Sequence, residues 1–239
     1  MASISKSVQR RLETAASSPA GLAVPAMLLR AYLRHVFART TWEHVGRDAL
    51  GRVVAGGQPV ILAMWHARLL SGAVFWDRAW GRSVSLTSTA FPGRLGGYAM
   101  VPFGIDTQPL RDRNPSRADL VTLTREVRAG TSLVIQADGP LGPAREAKRV
   151  PLDWARLTGV PIWLLGFSME RYRLLDTWDR MLVPKAGGRG CLIYRPWAHE
   201  VPKRADEAKM LALRAQLTAD LDAVSEEADR RMGHGGRID

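Results

Sequence analysis

Apolar positions in this chain recur at two spacings, which divide it into alternating segments. Leu29, Leu33, Val36 and Phe37 fall on one side of a helix, with Arg30 and Arg34 on another. Pro25 sits where that helix can open, because an N–H in the first turn has no intrahelical partner to lose. Further on, Pro59–Trp65 is a short apolar run bounded by Gly56-Gly57 and His66, the pattern of a buried strand. Arg68–Trp80 reads as a helix, Ser83–Ser88 as a second strand and Tyr98–Ile105 as a third, followed by an arginine-studded loop over Asp106–Pro115. Ser116 is placed to cap a helix that holds Asp119, Val121, Leu123 and Val127 and ends at Gly130. Next come a strand over Thr131–Gln136, the turn-rich Asp138–Pro143, a helix over Leu152–Leu157 and a strand over Val160–Phe167. Arg171–Leu175 and Cys191–Arg195 read as further strands. Arg204–Arg230 is a long charged helix with Met210, Leu211, Leu213, Leu217 and Leu221 as its buried stripe.

Strands alternating with helices predict an α/β fold: a single domain with a mostly parallel or mixed sheet covered by helices, plus an N-terminal amphipathic helix. The expected division is a helical extension over 1–40, the α/β domain over 41–232 and a disordered tail over 233–239, with no internal repeat. Leu22–Leu29 contains Pro25 and is ended by Arg30, well short of the roughly 20 apolar residues that span a bilayer. No clean cleavage site marks it as a secretory signal.

Charge narrows the choice of partners. The 239 residues carry 34 Lys plus Arg against 23 Asp plus Glu, a formal net charge of +11. Such a chain is drawn to nucleic acid, anionic lipid or an acidic protein or cofactor. No zinc finger, ribonucleoprotein motif or basic zipper is present, which counts against nucleic acid. The lone Cys191 excludes an intrachain disulfide and any cysteine cluster for a metal, and no metal site is expected. The N-terminal helix has two open roles: packing on the domain, or lying on an anionic bilayer with its apolar stripe buried at the headgroups.

Two strand ends carry candidate chemistry. His66 follows the Pro59–Trp65 strand, and ligands of open α/β sheets sit beyond the carboxyl ends of their strands. Its imidazole is either a general base or a structural side chain. Arg68 either binds a phosphate or faces solvent. After the Thr131–Gln136 strand, Asp138-Gly-Pro-Leu-Gly-Pro143 has two Gly–Pro steps, which bring backbone close to a ligand, and Arg145, Lys148 and Arg149 lie within reach of an anion. The bland alternative is a turn in which Asp138 bonds its own backbone.

At these landmarks the chain resembles the lysophospholipid acyltransferase superfamily, in its bacterial branch with a Trp-His-x-Arg and an Asp-Gly-Pro-x-Gly-Pro block. The matching residues are Met64-Trp-His66-Ala-Arg68-Leu-Leu70 and Ala137-Asp138-Gly-Pro-Leu-Gly-Pro143. The similarity continues through Ala155-Arg-Leu-Thr-Gly-Val-Pro161, Thr177-Trp-Asp-Arg180 and Val183-Pro-Lys185. The resemblance implies transfer of a fatty acyl group from acyl-CoA or acyl carrier protein to the hydroxyl of a lysophospholipid or related phosphate-bearing lipid. It also implies His66 as general base, no metal, no tightly bound cofactor, and work at an anionic membrane surface, peripheral on the cytoplasmic face of the inner membrane. Better-known branches have His-x4-Asp, whereas the position five after His66 is Ser71, a departure common in this branch. That leaves the orienting group open. Asp138 is the first candidate, with its carboxylate expected within direct or one-water reach of the imidazole, and Ser71 is the second. The Arg-Gly-Ser-Ser run usual in relatives is also absent, so Arg111, Arg113 and Arg117 are the candidate phosphate ligands, together with Arg68 and Arg145. Backbone N–H groups around Gly139 and Gly142 are the candidate oxyanion donors. The rival reading is a non-catalytic binder of anionic lipid or nucleic acid. An enzyme should bring His66, Asp138 and at least one arginine to the rim of one pocket or groove with an apolar channel nearby, and a binder should show a broad basic face without such a channel.

Overall fold

The computed structural model describes residues 19–110 and 117–239. The candidate ligands Arg111 and Arg113, and the cap residue Ser116, lie outside them. Helix α1 (Pro19–Ala38) leads to β1 (Thr41–Val45), α2 (Arg47–Ala55) and β2 (Ile61–Met64). Two short 3-10 helices, His66–Ala73 and Arg78–Trp80, then precede β3 (Ser83–Ser88), α3 (Phe91–Met100), β4 (Ile105–Leu110), α4 (Arg117–Arg128) and β5 (Ser132–Gln136). The chain continues through α5 (Val150–Thr158), β6 (Ile162–Met169), the small strands β7 (Tyr172–Leu174) and β8 (Leu182–Pro184), β9 (Arg189–Pro196) and α6 (Glu207–Arg231).

Seven strands form one sheet in the order β1-β9-β6-β2-β5-β3-β4. Neighbours from β6 to β4 run parallel, and β9 turns antiparallel against β6. The central strands read as unbroken apolar runs because helices cover both faces. On one face Ile61, Ala63, Leu133, Ile135, Ile162 and Leu164 meet α4, α5 and α6. On the other, Leu62, Met64, Val134, Trp163 and Leu165 meet α1, α2 and α3. The fold class is as the pattern predicts: one α/β domain with a mostly parallel, mixed sheet between helices.

Several local expectations give way. Arg68–Trp80 is not one α-helix but the two 3-10 helices. The segment expected as a third strand over Tyr98–Ile105 is the end of α3 and a 3-10 turn, and the strand itself occupies the supposed loop as β4. Gly93, Gly96 and Gly97 mask α3 from a propensity reading. Packing explains two of them, since a Cβ on Gly93 would come within 2.6 Å of the Ser88 carbonyl oxygen on β3 and one on Gly97 within 3.0 Å of Thr107 on β4. Leu211 is exposed, while Met210, Leu213, Leu217 and Leu221 are buried on α6 as expected.

Helix α1 packs on the domain through its expected stripe and leaves a second apolar set outside. Leu33, Val36 and Phe37 are buried against the domain and Leu29 is partly buried, so the expected stripe packs inward. Burying side chains of this size is favourable by about 1.5–3 kcal/mol each. A second apolar set, Val24, Met27 and Leu28, remains exposed on the same helix. Arg34 lies over the Phe103 ring, 5.7 Å from its centroid, and the Arg30 guanidinium donates to the Ala26 carbonyl. The expected free tail over 233–239 is drawn onto the domain instead. The His234 ring meets Tyr172 edge-on and Ile238 joins the core, while Asp239 is buried between Arg68 and Arg145.

Candidate active site

The carboxyl ends of β2 and β5 lie side by side, with Met64 in register with Gln136. His66 and Asp138, each two residues beyond these positions, are therefore brought together, but not as expected. The Asp138 carboxylate accepts the His66 backbone N–H through Oδ1 at 2.8 Å and the Arg145 backbone N–H through Oδ2 at 3.2 Å. It ties two loops together and leaves the imidazole to another acid. Burial pushes its carboxyl above the ordinary range, more than the backbone N–H groups pull it down.

The acid at the imidazole is Asp179. His66 Nδ1 stands 2.7 Å from Asp179 Oδ2, and the Thr177 hydroxyl donates to Asp179 Oδ1 at 2.6 Å. Burial by itself would push the Asp179 carboxyl up, but the hydrogen bonds from His66 and Thr177 hold it below the usual range. An ionised carboxylate can only accept, so Nδ1 carries the proton and Nε2 is left as the basic nitrogen. Residues 177–179 lie in the connection between β7 and β8, and that two-stranded sheet carries them over the ends of β2 and β5. Trp178 lies 5.2 Å from the His66 ring, centroid to centroid, at 39°. Gly142 supports it from below: with φ +64°, its Cβ would come within 2.6 Å of the indole.

His66 and Trp178 border a cavity of about 450 Å³. His66, Gln136, Gly139, Pro140, Leu141 and Trp178 form its outer part, and Phe75, Met100, Ile105 and Val134 its apolar interior. Gly93, Gly96 and Gly97 of α3 line it as well, and at Gly96 the missing side chain leaves open space. The volume is within the 300–1,000 Å³ usual for ligand clefts.

The other expected site residues divide. Gly139 lines the cavity, but its N–H already donates to the Gln136 carbonyl and is not an oxyanion donor. Ser71 donates to the Arg68 carbonyl and does not orient the imidazole. Arg68 is fully buried, paired with Asp229 and Asp239 and donating to the Phe167 carbonyl. Arg145 is buried with φ +58° and paired with Asp222 and Asp239. Both arginines are internal counter-ions rather than phosphate ligands, because a fully desolvated guanidinium needs its carboxylates. Arg117 borders a separate groove with Leu120, Val121 and Leu157, between α4 and α5. Lys148 is a basic residue beside the Gly139 loop: a Cβ on Gly139 would lie 3.8 Å from its Cγ. In the sequence Trp178-Asp179-Arg180 stands out only as part of the Thr177–Arg180 block of the resemblance. Its task is the ring contact and the carboxylate at His66.

A histidine–aspartate pair beside an apolar cavity, above the carboxyl ends of parallel strands, makes this an α/β protein with a candidate acid–base site, although neither Asp138 nor an arginine lines the cavity among the described residues. No family model matches the chain. The uncharacterized protein RP090 of Rickettsia prowazekii is 25% identical over 166 residues, covering 68% of this chain and 75% of that protein. Among solved structures, the 1-acyl-sn-glycerophosphate (LPA) acyltransferase PlsC of Thermotoga maritima superposes with a TM-score of 0.48 at 14% identity, covering 86% of this chain and 79% of that one.

Proposed function

We propose that this protein transfers a fatty acyl group from a thioester, acyl-CoA or acyl carrier protein, to the hydroxyl of a lysophospholipid or related phosphate-bearing lipid. The observation that carries this reading is the His66–Asp179 pair at an apolar cavity large enough for an acyl chain. Nε2 of His66 takes the proton of the acceptor hydroxyl as its oxygen attacks the thioester carbonyl, and Asp179 stabilises the imidazolium. The acyl chain lies among Phe75, Met100, Ile105 and Val134. Lys148 and the exposed Arg180, next to cavity-lining Trp178 and Met181, receive the acceptor phosphate. The reading needs no metal and no tightly bound cofactor. An apolar cavity with an acid–base pair favours it over a broad basic binding face.

The protein works in this reading as a peripheral protein on the cytoplasmic face of the inner membrane. Among the described residues no helix is long and apolar enough to cross a membrane. The lipid contact is then the exposed set Val24, Met27 and Leu28 on α1, with Phe91, Tyr98 and Val101 on and just after the neighbouring α3. Purified protein incubated with lysophosphatidic acid and labelled palmitoyl-CoA or palmitoyl carrier protein should yield labelled diacyl product. A folded His66→Ala variant should lose about 10²–10⁴-fold of the rate. Product formation by that variant at the parent rate refutes the assignment. Met27→Glu with Leu28→Glu should weaken sedimentation with anionic vesicles, and unchanged sedimentation moves the lipid contact elsewhere.

A further inference from the structure

We infer that the side-chain amide of Gln136 is the hydrogen-bond donor to the oxyanion formed during acyl transfer, an inference that rests on the function proposed above. Side chains alternate along β5: Leu133 and Ile135 face α4–α6, whereas Val134 faces α1–α3. The same alternation turns Gln136 to the face that holds the cavity, which it lines together with His66. Because Gln136 is in register with Met64, its amide and the imidazole come from adjacent strand ends.

The amide has no other occupation. Gln136 Nε2 is buried and makes no hydrogen bond among the described residues. A donor removed from water without a partner carries its desolvation penalty in full, so native proteins rarely leave one without a reason. A substrate carbonyl beside His66 supplies the partner, and the broad terminal torsion of a glutamine lets the N–H2 end swing to it. Three neighbouring N–H groups are engaged elsewhere: the Gly139 N–H with the Gln136 carbonyl, and the His66 and Arg145 N–H groups with Asp138. Ser85 and Thr107, also at the cavity, are on β3 and β4, farther from His66 in the strand order.

In the step, the acceptor oxygen forms a bond to the thioester carbon while the carbonyl π pair moves onto oxygen. The hydroxyl proton passes to His66 Nε2, and the Gln136 N–H meets the new negative charge. Collapse re-forms the carbonyl and breaks the C–S bond, and the proton moves from His66 to the departing thiolate. Ester and free thiol result, with no change in oxidation state.

Gln136→Leu and Gln136→Glu test this in steady-state assays with lysophosphatidic acid and palmitoyl-CoA, beside thermal melts. Loss of one oxyanion donor typically costs about 10²–10³-fold in kcat. Gln136→Leu should show that loss with KM for palmitoyl-CoA within about threefold, and melt no lower than the parent because the unpaired amide is gone. Gln136→Glu cannot donate when ionised but can when protonated, so its kcat relative to the parent should climb as pH falls. If Gln136→Leu does not fold, that pH-dependent ratio decides, and a flat ratio overturns the inference. An active parent whose Gln136→Leu variant keeps kcat, or loses only KM, refutes the donor role and leaves the acyl-transfer reading intact. A parent that acylates no lysophospholipid overturns both.

Discussion

Asp179→Asn separates acid–base chemistry from architecture at this site. The substitution keeps size and leaves a carbonyl to accept from His66 Nδ1, but removes the charge that opposes the imidazolium. The native contact is 2.7 Å, with side-chain exposures of 19% for His66 and 2% for Asp179. With charge centres about 4 Å apart, the attraction is about 1 kcal/mol at the dielectric of water and about 4 kcal/mol at the value for sites near a protein surface. Only the transition state carries the full imidazolium charge, so this difference falls on the barrier, at about 1.4 kcal/mol per tenfold. The expected result is a kcat lowered about fivefold to 10³-fold with little change in KM or melting temperature. Steady-state kinetics on extracted or synthetic lysophospholipid, with circular dichroism as the folding control, reads both quantities. A kcat within twofold of the parent would mean that Asp179 does not act on the imidazole during turnover.

Asp138→Ala should behave differently. It leaves the His66 and Arg145 N–H groups without their acceptor and so lowers stability by about 1–3 kcal/mol, visible in urea melts, with activity falling alongside. A variant as stable as the parent refutes the structural role. Asp239→Asn should destabilise by about 1–3 kcal/mol, less than a lone buried pair, because Arg68 keeps Asp229 and Arg145 keeps Asp222. Despite burial, the Arg68 and Arg145 charges hold the Asp239 carboxyl below the usual range. Its folded pKa is thus lower than its unfolded one, so its contribution is complete above about pH 4 and disappears as pH falls through the lowered value. Melts against pH should show parent and variant converging in acid, and a constant gap rejects the ion pairing. Tyr32 on α1 donates to the Pro184 carbonyl of β8 at 2.6 Å, so Tyr32→Phe should loosen the strand pair that carries Asp179 and lower kcat a few-fold. An unchanged kcat would mean that the strand pair holds Asp179 without it.

How much of this was legible beforehand depends on the range of the interaction. The buried strands β2, β5 and β6 were readable because apolar runs bounded by turns are a local signal, and the α6 stripe because helical spacing is one. Strand ends alone place His66 and Asp138 in the same region of the sheet. The α3 helix is hidden because glycines lower local helix propensity, and only contact with β3, β4 and the cavity accounts for them. Arg68 and Arg145 read as surface phosphate ligands because arginine is usually exposed, and no local pattern reports that Asp229 and Asp239 meet them inside. The largest revision, from Asp138 to Asp179 at the imidazole, turns on a pair separated by 113 positions. Sequence alone determined the layered sheet and the histidine at its edge, since periodicity follows from which face is buried. Tertiary structure alone decided which carboxylate touches that histidine, because the partner is chosen by where β7 and β8 cross the strand ends and by which charges burial forces into pairs.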